Sequence, residues 1–143
     1  MAALTKLSVV TPSSVKFEGA AEIVVMPGAA GDFAALAHHA PMLSTLRVGV
    51  LRAMVIEAGM TDAQARRRVE LAVDGGFAEV LPDKVIVLTD AALSSADVDL
   101  ARLRLDLKRA EEALAEKRGS DDARERHDFA WAQAQLDVTH KPA

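Results

Sequence analysis

Few residues in this chain are equipped for chemistry. Between Met26 and Leu43 it holds one acid, Asp32, and two adjacent histidines, His38 and His39, among Met26-Pro27-Gly28, Gly31-Asp32-Phe33 and Ala40-Pro41-Met42-Leu43. Neighbours in an extended segment point to opposite sides, so the two histidines do not converge on one metal ion, and no other ligand spacing is present. A lone carboxylate with no second acid beside it suits an ion pair better than general base work. The chain has no Cys, and no Ser or Lys stands beside an obvious base, so nucleophilic catalysis has no candidate. Asp74-Gly75-Gly76 has the glycines of a phosphate loop, but it leads into Phe77-Ala78-Glu79-Val80 with no lysine or helix start, and it reads as a turn. The expectation is no catalytic residue and no metal site. Met26 to Leu43 is expected to be a shaped binding loop carried by strands.

The elements that position this loop follow from the hydrophobic pattern. From Lys6 to Thr89 the apolar residues come in short, β-branched runs, with Leu7, Val9, Phe17, Val69, Leu71 and Val73 alternating with polar neighbours. Such alternation gives a strand one buried face and one wet face. Turn signals at Thr11-Pro12-Ser13, Met26-Pro27-Gly28, Asp74-Gly75-Gly76 and Leu81-Pro82-Asp83 separate the runs, and no helical stretch intervenes. Strands so closely spaced imply an antiparallel β-sandwich or barrel. Arg66-Arg67-Arg68, after Gly59-Met60-Thr61-Asp62, reads as a solvated strand end at a hairpin edge.

The pattern changes after Asp90. Ser94, Ser95, Asp97 and Asp99 offer a cap and an acidic first turn, and Leu100, Leu103, Leu107, Ala110 and Leu114 then recur at three- and four-residue steps. Lys117-Arg118 and Gly119 close this helix, and Ser120-Asp121-Asp122 open a second one running to about Val138. The fold class is therefore β + α: a sandwich over residues 1–90 and a two-helix hairpin over 91–143. Val98, Arg102, Leu105 and Arg109 make a second, mixed face on the first helix, so the hairpin should also lie against the sandwich or another subunit. Opened end to end, about 45 helical residues would reach roughly 65 Å.

Composition narrows the class of function. The 143 residues carry a formal net charge of -4, which argues against nucleic acid as the main partner. No apolar run reaches the length of a membrane span, and no leader pattern is present at the N-terminus.

Five segments in order carry a family likeness: Gly31-Asp32-Phe33, His39-Ala40-Pro41-Met42-Leu43, Gly49-Val50-Leu51-Arg52, Asp74-Gly75-Gly76-Phe77-Ala78-Glu79-Val80 and Val85-Ile86-Val87-Leu88-Thr89-Asp90. With the two-helix C-terminus behind them, the chain resembles the epsilon subunit of the bacterial F-type ATP synthase over nearly its whole length. The resemblance implies a non-catalytic rotor subunit of the central stalk, with the gamma subunit and the c-ring as partners and the catalytic alpha/beta head reached when the hairpin extends. It implies a peripheral place on the cytoplasmic face of the inner membrane, coupling of ring rotation to the head, and inhibition of ATP hydrolysis by the C-terminal helices. Ala29, Ala30, Gly31, Asp32 and His39 correspond to the c-ring interface. Some members bind ATP in the hairpin, and Val98, Asp99, Arg102 and Arg109 match that motif in part. Leu103 stands where the motif has Ala, and Trp131 and Gln135 where basic residues are expected, so at most weak ATP binding is implied and no other cofactor. Without nucleotide, Asp99 and Arg102 would pair one turn apart. A β-domain adaptor with a helical dimerisation hairpin, outside any motor, is the competing reading.

Overall fold

The computed structural model describes residues 3–57, 66–117 and 121–139. The expected Gly59-Met60-Thr61-Asp62 turn and the Arg118-Gly119-Ser120 joint lie outside the described residues. The chain runs β1 (Thr5–Val10), β2 (Val15–Gly28), β3 (Gly31–Ala35), β4 (Met42–Ile56), β5 (Arg66–Val80), β6 (Lys84–Leu88), β7 (Ala92–Leu93), a 3-10 turn at Ser95–Asp97, α1 (Leu100–Glu116) and α2 (Ala123–Thr139). Strands β1, β6, β5, β4 and β2 pair in that order, and β1 also pairs β2, which closes the sheet into a flattened barrel. All pairings are antiparallel except β1 with β6, which lie parallel.

Three long strands serve both layers, and each reverses its inward phase along the way. In β5 the core residues are Val69, Leu71 and Val73, then Ala78 and Val80; in β4 they are Leu46, then Leu51, Ala53 and Val55. The register between β4 and β5 does not slip through this switch, with Leu46 opposite Gly76 and Val48 opposite Asp74. Asp74-Gly75-Gly76 is therefore not the strand-ending turn expected from its composition. It is a corner inside a continuous strand, made by positive φ angles of 68° at Gly75 and 101° at Gly76. In β2 the core passes from Ala21 to Val24 and Met26, and the register irregularity between Ala21 and Ile23 makes the change. Met26-Pro27-Gly28 likewise stays within β2, and the turn proper is Ala29-Ala30. Thr11-Pro12-Ser13 and Leu81-Pro82-Asp83 lie between strands as expected.

Arg66, Arg67 and Arg68 begin β5, and each faces a carboxylate: Glu22 at 2.9 Å, Glu57 at 2.9 Å and Glu70 at 3.3 Å. The basic run is the solvated strand end expected from the sequence, with a carboxylate beside each arginine.

Beyond residue 90 the sheet continues to Leu93, because β7 pairs with Ala72 and Val73 of β5. Ser94 then donates to the Asp97 carboxylate from both its backbone N–H and its hydroxyl, each at 3.0 Å, which spends the first cap on the 3-10 turn. These bonds hold the Asp97 carboxyl below its ordinary range. The cap of α1 is Asp99, whose Oδ1 accepts from the N–H of Ala101 at 3.1 Å and of Arg102 at 3.3 Å. With α1 and α2 at 17 residues each, the hairpin is shorter than the pattern predicts, about 25 Å per helix.

Leu103 and Ala110 are buried against α2, whereas Leu100 and Leu105 are exposed on α1. Helix α2 lies between α1 and the outer face of β4 and β5, where Ala134 and Val138 bury Ala72 together with Val48, Val50, Val98 and Trp131.

A Cβ added at Gly76 would stand 1.9 Å from the Leu88 carbonyl oxygen, while one added at Gly31, φ 136°, would meet nothing within 4 Å. Gly76→Ala should therefore cost more than about 3 kcal/mol, combining backbone strain with a backbone clash. Gly31→Ala should cost only the strain, about 1–2 kcal/mol. Urea unfolding of the two variants beside the parent checks this order.

Candidate functional site

The β2–β3 hairpin ends in a rigid tip. Ala29 and Ala30 form its two-residue turn, Gly31 pairs with Gly28, and Asp32 pairs with Pro27. The Ala29 N–H donates to the Thr45 carbonyl at 2.9 Å, tying the turn to β4. Arg47 braces it further: Nη1 donates to the Gly28 carbonyl at 2.6 Å, and Nη2 pairs with the Asp32 carboxylate. Both charged side chains remain about half exposed, so the pair is solvated and its worth lies in orientation more than stability. Arg47 did not stand out in the sequence, since a single basic residue in a strand carries no signal until the fold sets it beside the tip.

The structure gathers Ala29, Ala30, Gly31 and Asp32 at this tip and places His39 elsewhere. The strand from Asp32 to Ala35, roughly 10 Å at about 3.3 Å per residue, separates the tip from the loop that carries His39. That loop is not extended, as the two adjacent histidines had been expected to be. His38 takes a positive φ of 68°, and its N–H donates to the Pro82 carbonyl at 2.7 Å. The imidazole of His39 holds the Ala40 carbonyl at 2.6 Å. His38 thus shapes the turn and links the β3–β4 loop to the β5–β6 turn.

A second surface had no place among the sequence expectations. Phe77 pairs with Leu88 across β5 and β6, Thr45 lies opposite Phe77, and Leu88 is parallel to Val10, which pairs with Val15. Val15, Leu43, Phe77 and Leu88 are all more than half exposed, at 56%, 71%, 52% and 52%. A shallow depression of about 660 Å³ runs beside this row, lined by Pro12, Thr45, Phe77 and Leu88 among others. The signal was present in one place: Phe77 shares its strand phase with Glu79, opposite to buried Ala78 and Val80. An apolar row on the wet phase of several adjacent strands is a docking surface rather than scattered exposure.

The third site is the groove between α1 and α2, about 630 Å³, which brings together Asp99, Arg102 and Arg109 beside Leu103, Trp131 and Gln135. Val98 does not line it; its side chain packs toward the sandwich with Trp131. Arg102 reaches Asp106 at 3.9 Å rather than pairing with Asp99, whose carboxylate is occupied in capping the helix. Four carboxylates, Asp97, Asp99, Asp106 and Asp128, line the groove with the two arginines. Its net charge is therefore negative, which disfavours a polyphosphate. Among the described residues no cluster of three or more His, Asp or Glu is placed to hold a metal ion.

Comparison with known proteins agrees with this architecture. Residues 4–95 match the family described as ATP synthase, Delta/Epsilon chain, beta-sandwich domain. The ATP synthase epsilon chain of Syntrophobacter fumaroxidans is 40% identical over 136 residues, covering 95% of this chain and 90% of the relative. That of Ruminiclostridium cellulolyticum is 36% identical over 136 residues, covering 94% and 95%. Among solved structures, a chain of the Euglena gracilis mitochondrial ATP synthase OSCP/F1/c-ring assembly shares the fold with a TM-score of 0.73 at 19% identity, covering 96% of this chain and 82% of that one. A chain of the Tetrahymena thermophila mitochondrial ATP synthase central stalk and c-ring aligns with a TM-score of 0.56 at 10% identity, covering 95% and 96%. A flattened sandwich with a braced hairpin tip, an apolar outer row and a docked two-helix C-terminus, joined to this level of identity over almost the full length, places the chain in the ATP synthase epsilon-chain family.

Proposed function

We propose that this chain is the non-catalytic central-stalk subunit that couples c-ring rotation to the catalytic head of a proton-translocating ATP synthase. Two unlike surfaces on one stiff sandwich carry the reading. A component that transmits torque has to hold two partners at once without deforming, and the pairing of β1 with both β2 and β6 closes the long strands into a barrel that resists shear. The braced tip at Ala29, Ala30, Gly31 and Asp32 seats on the polar loops of the c-ring, where a charge at a rim sets register more than affinity. The apolar row of Leu43, Phe77 and Leu88 faces the gamma subunit, since association there removes large side chains from water. His39, in the loop that follows β3, extends the c-ring footing beyond the tip in this reading. No helix among the described residues is long and apolar enough to cross a membrane, which fits a peripheral seat on the cytoplasmic face of the inner membrane.

The hairpin is the regulatory part in this reading. Helix α2 meets the sandwich along one side through Ala134, Val138 and Trp131, and α1 leaves Leu100 and Leu105 uncovered for another partner. Extended along gamma toward the alpha/beta head, the two helices would obstruct hydrolysis; closed, they leave it free. The acid-rich groove supports a hairpin with no resident cofactor, and calorimetric titration should find no ATP binding tighter than about 1 mM.

Two substitutions separate the surfaces. Asp32→Lys should leave the sandwich folded and gamma bound, yet lower proton pumping relative to ATP hydrolysis in the reassembled enzyme; unchanged pumping removes the tip from the footing. Phe77→Glu should weaken gamma binding by about tenfold or more, an effect of buried apolar anchors, with little change in unfolding temperature. A disulfide between cysteines introduced on α2 and β4 should hold the hairpin closed and abolish its inhibition of ATP hydrolysis. Inhibition that survives the crosslink removes the regulatory role.

A further inference from the structure

One polar contact between hairpin and sandwich is not used by the function proposed above. His127, in the second turn of α2, places Nε2 at 2.6 Å from Oδ1 of Asp74 on β5. The acid is firmly held. Its backbone N–H is shared between the Ala91 carbonyl at 3.0 Å and Thr89 Oγ1 at 3.1 Å, and it immediately precedes the Gly75-Gly76 corner. Only 16% of its side chain is exposed, against 48% for His127. A fixed carboxylate on the sandwich, beside the segment where the chain leaves for the hairpin, thus meets an ionisable base on the hairpin. Further along α2 the apolar contact joins Ala134, Val138 and Trp131 to Ala72, Val48 and Val50, and the His127–Asp74 bond adds a charge-assisted tie near the start of the helix.

The protonation of His127 sets the strength of that bond. The hydrogen bond that His127 donates to Asp74 pushes the imidazole above its ordinary value of 6.5; partial burial works against this, and the charge of Asp74 and the nearby Asp128 carboxylate add to it. Asp128, at 3.5 Å from Nδ1, lies on the same helix. Among the described residues, the ionisable groups that bear on His127 are Asp74 from β5 and Asp128 from α2, and none comes from β4 or α1.

We propose that the His127–Asp74 pair is a proton-operated latch that holds the hairpin on the sandwich. It rests on the hairpin opening described under the proposed function. A base whose pKa is raised in the latched form contributes fully below the unlatched value of 6.5, and its contribution is lost as pH rises through the raised value. Acid therefore tightens the latch, and alkali loosens it.

Because the chain has no cysteine, a single spin-label pair can be placed at Arg52→Cys on β4 and Ala123→Cys on α2, both exposed positions. The gamma concentration that separates the labels by half is then measured between about pH 6 and pH 8.5, a range in which histidine is the side chain that ordinarily titrates. In the parent this midpoint should fall roughly fivefold from the acid end to the alkaline end, the size expected for a half-exposed ion pair. In His127→Gln it should be independent of pH and sit at the alkaline level, and Asp74→Asn should lower the midpoint in acid in the same direction. If gamma opens the parent at a midpoint that ignores pH, or if His127→Gln keeps the parent's pH dependence, the latch is overturned while the opening stands. If gamma never separates the labels at any pH, the opening itself fails and the latch falls with it.

Discussion

The corner at Gly75 and Gly76 is the constraint on which the rest of this molecule depends. A strand alternates its side chains between two faces, so one long strand can serve only one layer unless something reverses the phase. Two successive positive φ angles do so here in β5, and β4 turns in step without losing register. Only glycine accepts this geometry readily, and at Gly76 the Leu88 backbone leaves no room for a side chain. From this one turn of the strands follow the closed, flattened barrel, the burial of Val73 in one layer and Ala78 in the other, and the position of Asp74 at the rim.

The same corner organises function. On one side of it, β4 presents Arg47 to the Gly28 to Asp32 tip, and on the other β5 presents Phe77 to the outside beside Leu88. Asp74, the last residue before the glycines, meets the hairpin. A charged tip, an apolar row and the hairpin contact are thus three faces of one stiff bend.

The hairpin is attached differently from the way the sandwich is built. The seam between α1 and α2 buries Leu103 and Ala110, and the seat of α2 on the sheet is made by Ala134, Val138 and Trp131 against Ala72, Val48 and Val50.

The sequence by itself determined the class of structure and the family, because both rest on local signals: period-two runs of β-branched residues, then leucines at helical spacing, then five segments in a recognisable order. It also determined the absence of a cysteine nucleophile and identified the Asp32 region as a surface of interest. Only the tertiary structure decided what lies between distant residues. Asp74-Gly75-Gly76 has the composition of a turn, and whether such a segment ends a strand or bends it depends on which partner strand runs alongside. Asp32 lies at the start of β3 whereas His39 lies in the loop beyond its end. Arg47 at the tip, the two members of the Phe77–Leu88 row and the His127–Asp74 contact join residues separated by 15, 11 and 53 positions. A one-dimensional pattern carries periodicity and local chemistry, but contacts across such separations exist only once the chain has closed on itself.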